Sequence, residues 1–198
     1  MRRPFYFWNP MKPLRTSSVD ELAGACAALV GAREAGSAPV VAVSGIDGAG
    51  KGWLCDQLVA APALAAARIT VVRVDDWRTE PAERFAGPDW GRRFYERSYR
   101  WDEMRANALE PARRGADLVL FDGIFALTNE RRGWFDLSVW VERSFETALS
   151  RALQRNQEGL SPEALRDEYE RVYWPAQRLH MERDRPAEHA DWVFENDR

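Results

Sequence analysis

Seven residues, Gly45-Ile46-Asp47-Gly48-Ala49-Gly50-Lys51, set the tightest limit on what this chain can fold into. They follow a β-branched run, Val40-Val41-Ala42-Val43, and open Lys51 to Val59, which reads as a helix broken by Pro62. Strand, glycine turn and helix in that order let the backbone curl so that successive N–H groups face inward. The helix start adds partial positive charge. G-x-x-x-x-G-K in this setting is the phosphate-binding Walker A pattern, with Lys51 reaching the outer phosphates as a point charge. The competing reading is a plain glycine turn with a solvated lysine; strand, spacing, lysine and helix together weigh against it.

Further apolar runs at Ile69–Val74, Leu118–Gly123, Leu137–Val141 and Trp192–Phe194 read as strands. Between them lie helical stretches at Trp101–Arg114, Phe145–Asn156 and from Pro162 onward, where Ser161 caps the start and Pro175 is expected to bend the helix. Alternation of this kind implies a parallel sheet covered on both faces. The expected fold is doubly wound α/β: three layers, a five-stranded parallel sheet and a small helical lid. Ahead of it, Ser18 and Glu21 have the spacing of a capping box, opening an amphipathic helix through Val30 that Gly36 and Pro39 close. Residues 1–16, with Pro4, Pro10 and Pro13 among aromatics, read as an irregular arm docked on the domain. The expected organisation is an arm and helix over 1–38 and a P-loop domain over 39–198.

Charge and composition narrow the class. With 28 basic against 31 acidic residues, there is no electrostatic case for nucleic acid or an anionic membrane surface. No apolar run approaches the roughly 18 residues of a membrane span, and Met1-Arg2-Arg3-Pro4 does not begin a signal peptide. Cys26 and Cys55 are too few for a disulfide framework and read as buried thiols. His180 and His189 lack neighbours at metal-ligand spacing. The expectation is a cytoplasmic enzyme or binding domain.

Carboxylates and arginines recur where strands end. Asp75-Asp76 closes the second strand, and ligands gather beyond strand carboxyl ends in open α/β sheets. Asp75 there can accept the proton of an attacking hydroxyl or hold metal-bound water. Asp122 closes the third strand and is the candidate Mg²⁺ carboxylate. Arg151 and Arg155, four apart on one helix face, are placed to neutralise a phosphoryl group in transfer. Gly52 and Trp53 complete the nucleotide-binding set of Gly45, Asp47, Gly48, Ala49, Gly50 and Lys51. Gly52 stands where such loops carry a Ser or Thr whose hydroxyl binds Mg²⁺. Adenylate kinases share that glycine, so the metal can be held through water and carboxylates. Trp77, Tyr99 and four further aromatics between residues 90 and 101 suit a lid or a stacking surface.

The ordered set resembles the uridine kinase family of P-loop kinases, including its short bacterial members, over residues 38–195. The family's loop is similar to Gly45–Lys51, and its Asp-x-aromatic motif, bearing the general base, to Asp75-Asp76-Trp77. Its Trp-Asp motif, which holds acceptor hydroxyls, resembles Trp101-Asp102. Its Glu-Gly-Ile strand end is here Asp122-Gly123-Ile124, and its lid resembles Val141-Glu142 through Arg151 and Arg155. Its tail of Tyr, Pro and Ala-Asp before an apolar strand is similar to Tyr169, Pro175 and Ala190-Asp191-Trp192-Val193. Three features depart: Gly52 itself, the short stretch Leu109–Asp117 where nucleoside-specific members carry a base-clasping hairpin, and Gln157-Glu158-Gly159 in place of basic lid residues.

The resemblance implies an ATP- or GTP-dependent, Mg²⁺-assisted kinase acting on a hydroxyl of a small molecule, nucleoside-like without fixing uridine. Lys51 and the loop hold the donor, Asp75 is the base, Asp102, Trp77 and Tyr99 hold the acceptor, Asp122 and Asp75 serve the metal, and a homodimer is compatible. Two alternatives stay open: a P-loop protein that binds nucleotide without transfer, and a nucleoside monophosphate kinase, which Gly52 suggests.

Overall fold

The computed structural model describes residues 12–33, 36–85, 87–155 and 159–196. Six strands form one sheet: β1 (Leu14–Thr16), β2 (Val40–Gly45), β3 (Ile69–Arg73), β4 (Leu118–Asp122), β5 (Leu137–Glu142) and β6 (Trp192–Glu195). Their spatial order is β1-β6-β5-β2-β4-β3, and every neighbouring pair is parallel. β2 is buried along its whole length, which is why its sequence is continuously apolar instead of alternating. The chain leaves β2 for β3 and β4 on one side, then returns to β5 and β6 on the other. Strand order therefore reverses at β2, and the crevice beyond its carboxyl end is where such sheets bind ligands. Register places Val43 beside Asp122, Arg73 beside Asp122 and Gly45 beside Val141, so the strand-ending side chains share that edge.

The five expected strands are all present, and a sixth joins them. Leu14–Thr16, read as part of an irregular arm, pairs with Trp192–Phe194 as an edge strand. Arg15 pins it by reaching both Glu142 and Glu195, long-range contacts that no local pattern announces. Residues 1–11 of the expected arm lie outside the described residues.

Helix α1 (Val19–Ala32) starts at Ser18, whose Oγ accepts from the Glu21 N–H at 3.3 Å. The reciprocal half of the capping box is absent. The Glu21 carboxylate accepts instead from the Thr16 hydroxyl, and Thr16 Oγ1 accepts from the Ser18 N–H at 2.9 Å. α1 buries Leu22, Ala23 and Cys26, and burial pushes the Cys26 thiol up to about 12.

After α2 (Lys51–Ala60) come α3 (Pro81–Arg84), α4 (Trp90–Arg97), α5 (Trp101–Met104) and α6 (Glu110–Gly115). The later helices are α7 (Phe145–Arg155), α8 (Pro162–Glu168), α9 (Trp174–Asp184) and α10 (Pro186–His189). α5 runs into α6, and α8 into α9, through single π-helical turns at Arg105–Leu109 and Tyr169–Tyr173. Pro111 and Pro175 each follow one of these turns within two residues. A proline ring has no N–H to donate and presses on the carbonyl four residues back; a widened turn relieves both. At the bend expected at Pro175 there is therefore a π turn inside a helix that continues to Asp184. No described helix is long and apolar enough to cross a membrane.

A buried polar group ties α4 and α9 to the connection after β4. Asp184, 2% exposed, accepts from Tyr95 Oη at 2.5 Å, His180 Nδ1 at 2.8 Å and the Asn129 N–H at 3.0 Å. The partner of His180 is thus a carboxylate one helical turn away, and its role is structural. Burial works to raise the Asp184 carboxyl, but the donors from His180, Tyr95 and Asn129 outweigh it and hold the group at about 2. A folded-state pKa below the unfolded one gives stability above the ordinary carboxylate range that is lost as pH falls toward that value. Asp184→Ala, which strands two buried donors and the part-buried Asn129 N–H, is expected to cost about 3 kcal/mol near neutral pH. Calorimetric melting checks it: the gap from the wild type should narrow as pH drops from 4 toward about 2, and equal melting temperatures at neutral pH would refute it.

Candidate active site

The glycine turn is an open curl. Gly48 and Gly50 have φ of +77° and +97°, a region that glycine enters without steric cost. A Cβ on Gly48 would also stand 2.5 Å from the Ala148 carbonyl oxygen, because α7 packs its backbone against the loop. Gly50 is the N-cap of α2 and no side chain caps it, so the first amides of the helix remain open toward its positive end. The loop is braced from outside: Asp47 N–H donates to Gln177 Oε1 at 3.2 Å, and the Ala49 carbonyl accepts from Asn196 Nδ2 at 2.7 Å and Arg151 Nη1 at 3.3 Å. Lys51 Nζ donates to the Ile46 carbonyl at 2.9 Å, folded along the loop.

Beyond this turn lies a cavity of about 590 Å³, within the range of small-molecule sites. Asp47, Gly48, Gly50, Lys51, Gly52, Trp53, Asp75, Tyr99, Asp122, Arg151 and Arg155 all line it. Gly45 and Ala49 are buried beneath the turn. Two sequence candidates lie outside the wall. Asp102 is exposed in the first turn of α5, and Trp77 is half-buried against the core, with Arg100 6.0 Å from its ring. Gln157 and Glu158 lie outside the described residues.

Asp75 follows β3 and is held from two directions. Tyr99 Oη donates to its Oδ1 at 3.1 Å, and Arg78 Nη2 lies 3.2 Å from its Oδ2. An antiparallel backbone bridge between Arg78 and Tyr99 fixes both partners. Burial, then the Asp75 charge, pushes the Tyr99 phenol well above its ordinary value, so Tyr99 stays a donor. The second aspartate, Asp76, is exposed and off the wall.

Asp122 is half-buried at the end of β4. Burial raises its carboxyl pKa; the Lys51 ammonium opposes this, and Asp75 adds to it. A Cβ on Gly52 would stand 3.4 Å from Asp122 Oδ2, so the carboxylate borders the space that a hydroxyl side chain would occupy. Among the described residues no three His, Cys, Asp or Glu side chains converge as a metal cluster. One carboxylate at the phosphate end fits Mg²⁺, which keeps several waters and is held by one or two carboxylates plus substrate phosphates.

Arg151 and Arg155 share one face of α7 and both reach the cavity. Burial, then the neighbouring Arg143 and Arg155 charges, lowers the Arg151 pKa. Residues without a sequence signal complete the site. Tyr169, noticed only as part of a tail pattern, donates its hydroxyl to the Asp47 carboxylate. Burial, then Asp47, drives that phenol far up. Gln177 brings nothing local to notice, whereas Asn196, just past the last strand, could have been found from its place at the ligand-binding edge.

A phosphate-binding turn at the reversal point of a parallel sheet, facing strand-end carboxylates and helix arginines across one cavity, defines a P-loop kinase. The chain belongs to the phosphoribulokinase/uridine kinase family, whose model matches residues 82–194, more than half of its length. That match begins after the phosphate loop, so loop and family model are independent observations. Solved structures agree on the fold. A candidate fructose transport system kinase from Silicibacter sp. TM1040 is 19% identical with a TM-score of 0.69, covering 90% of this chain and 100% of that one. A possible uridine kinase from Bacillus stearothermophilus is 18% identical with a TM-score of 0.64, covering 89% of this chain and 97% of that one. TT1252 from Thermus thermophilus is 17% identical at a TM-score of 0.53, over 82% and 90%. No curated protein matches the chain by sequence.

Proposed function

We propose that this protein transfers the γ-phosphoryl group of ATP or GTP to a hydroxyl of a small molecule. The observation that carries the reading is Asp75, oriented by Tyr99 and Arg78, on the wall of the cavity that the phosphate loop opens into. In the step, the acceptor oxygen bonds to the γ-phosphorus as the bond to the β–γ bridging oxygen breaks. The hydroxyl proton passes to Asp75, and the nucleoside diphosphate leaves with the bridging oxygen. Lys51 and the loop amides hold the donor's outer phosphates, and Arg155, with Arg151, meets the charge on the moving group. Asp122 would hold Mg²⁺, which when bound neutralises phosphate charge. The protein's share is positioning and electrostatics, with no covalent intermediate.

Gly52 favours a second reading, nucleotide binding without transfer, since the hydroxyl that usually serves the metal is missing. A screen of ADP release separates the two: one class of hydroxyl compound is expected to raise release well above the acceptor-free rate. ATP binding with no acceptor effect across nucleosides, sugars, polyols and hydroxy acids sinks the kinase reading, and acceleration by nucleoside monophosphates alone moves the acceptor from hydroxyl to phosphate.

A further inference from the structure

Resting on that kinase reading, we propose that the acceptor carries an anionic group, a carboxylate or a phosphate, which Arg84 binds. Six cations line the cavity (Lys51, Arg73, Arg78, Arg84, Arg151 and Arg155) against three carboxylates (Asp47, Asp75 and Asp122), in a chain whose net charge is −3.

Most of these cations have work already. Lys51 bonds the Ile46 carbonyl and Arg151 the Ala49 carbonyl, both at the loop that takes the donor. Arg73 lies 3.7 Å from Asp56, and Arg78 holds Asp75. Arg155 belongs to α7, which packs on the phosphate loop.

Arg84 differs. It is half-buried, and its Nε is sealed from solvent without a hydrogen-bond partner. Among the described residues no carboxylate pairs with it; its one neighbour of note is the Phe85 ring, 5.2 Å from the guanidinium carbon. Arg84 nevertheless lines the cavity, and among the described residues its guanidinium makes no hydrogen bond or ion pair, so a ligand there can offer its outer N–H groups the anion that the fold does not.

Its place in the fold selects the acceptor over the nucleotide. α3, which carries Arg84, lies in the segment that leaves Asp75 and returns to Tyr99. Phe85 stacks on Phe94 at 6.0 Å, and Phe94 lines the cavity beside Arg84. Asp75 and Arg84 thus come to the cavity from one stretch of chain, whereas the donor loop and the α7 arginines come from others. A planar guanidinium reads a carboxylate or a phosphate equally, through paired N–H donors.

The test uses matched acceptors that differ in the anionic group: ribose against ribose 5-phosphate, and glycerol against glycerate. ADP release should favour the charged member of at least one pair, and the pair that responds tells phosphate from carboxylate. Arg84→Gln should raise KM for that compound about 10- to 100-fold with KM for ATP unchanged, and Arg84→Lys should recover part of it. Turnover that prefers neutral acceptors, or an Arg84→Gln KM equal to wild type, overturns the proposal while the kinase reading stands. If no acceptor is phosphorylated, the kinase reading fails. Calorimetric binding of ribose 5-phosphate and of glycerate to protein saturated with a non-hydrolysable ATP analogue then still decides on Arg84: loss of binding in Arg84→Gln supports the site, and no binding to wild type, or equal binding to both, removes it.

Discussion

Replacing Asp75 with asparagine is expected to cut acceptor-dependent ADP release by about 10²- to 10⁴-fold, the range for loss of a positioned general base. Nucleotide affinity should move by less than about threefold, because the donor phosphates are assigned to the loop and not to Asp75. The substitution is close to isosteric, and the amide oxygen can still accept from Tyr99. The Arg78 partnership is mostly exposed, at 44% and 62% for the two side chains, so its loss affects stability little. Asp76→Asn is the matched control. Asp76 follows Asp75 in the same short turn after β3 and is likewise exposed, but it lies off the cavity wall, so its loss should leave turnover near wild type. Steady-state turnover beside calorimetric titration of a non-hydrolysable ATP analogue reads both quantities. Wild-type turnover in Asp75→Asn removes the base assignment, and a collapse in Asp76→Asn would transfer the role to the neighbour.

Much of this site could be read from the chain because its signals are local. Gly45 to Lys51 requires a particular backbone path whatever surrounds it, and Asp75 and Asp122 announce themselves by ending apolar strands. Lining up strand ends at one edge is what a parallel sheet does, so these residues converge once the sheet forms. Asp102 rests on a motif alone and Trp77 on a motif and a local run of aromatics, and the packing of α5 and the turn after β3 leaves both off the wall.

What the chain did not disclose depends on long-range pairing. Gln177 reaches Asp47 across 130 positions and Asn196 reaches Ala49 across 147; neither residue belongs to a periodicity or motif. The edge strand Leu14–Thr16 is three residues long, shorter than any pattern that alternation can establish. Its Arg15 depends on Glu142 and Glu195 for its meaning. Asp184 and His180 sit at helical spacing, yet their importance comes from Tyr95 and Asn129, brought in by other elements.

Lys51→Met should weaken both binding and turnover, which distinguishes it from Asp75→Asn. Methionine keeps an unbranched chain of similar length and removes only the charge and its donors. The bond lost is Nζ to the Ile46 carbonyl, which keeps its bond from the Ala49 N–H at 3.1 Å, so the fold should survive with nearly the same melting temperature. The charge matters more. Lys51 counters the burial that raises the Asp122 carboxyl pKa, so the variant should hold that carboxyl protonated to a higher pH. Without the ammonium, the phosphates lose their nearest point charge in a partly desolvated cavity, where one preorganised donor is worth about 10²–10³ in turnover. ADP release is therefore expected to fall by that factor and ATP-analogue affinity by about tenfold, with the acid side of the pH–rate profile moved upward. Affinity within twofold of wild type would mean that the turn after β2 does not hold the donor's phosphates, and Asp75, Asp122 and the α7 arginines would lose the reacting group around which their roles are arranged.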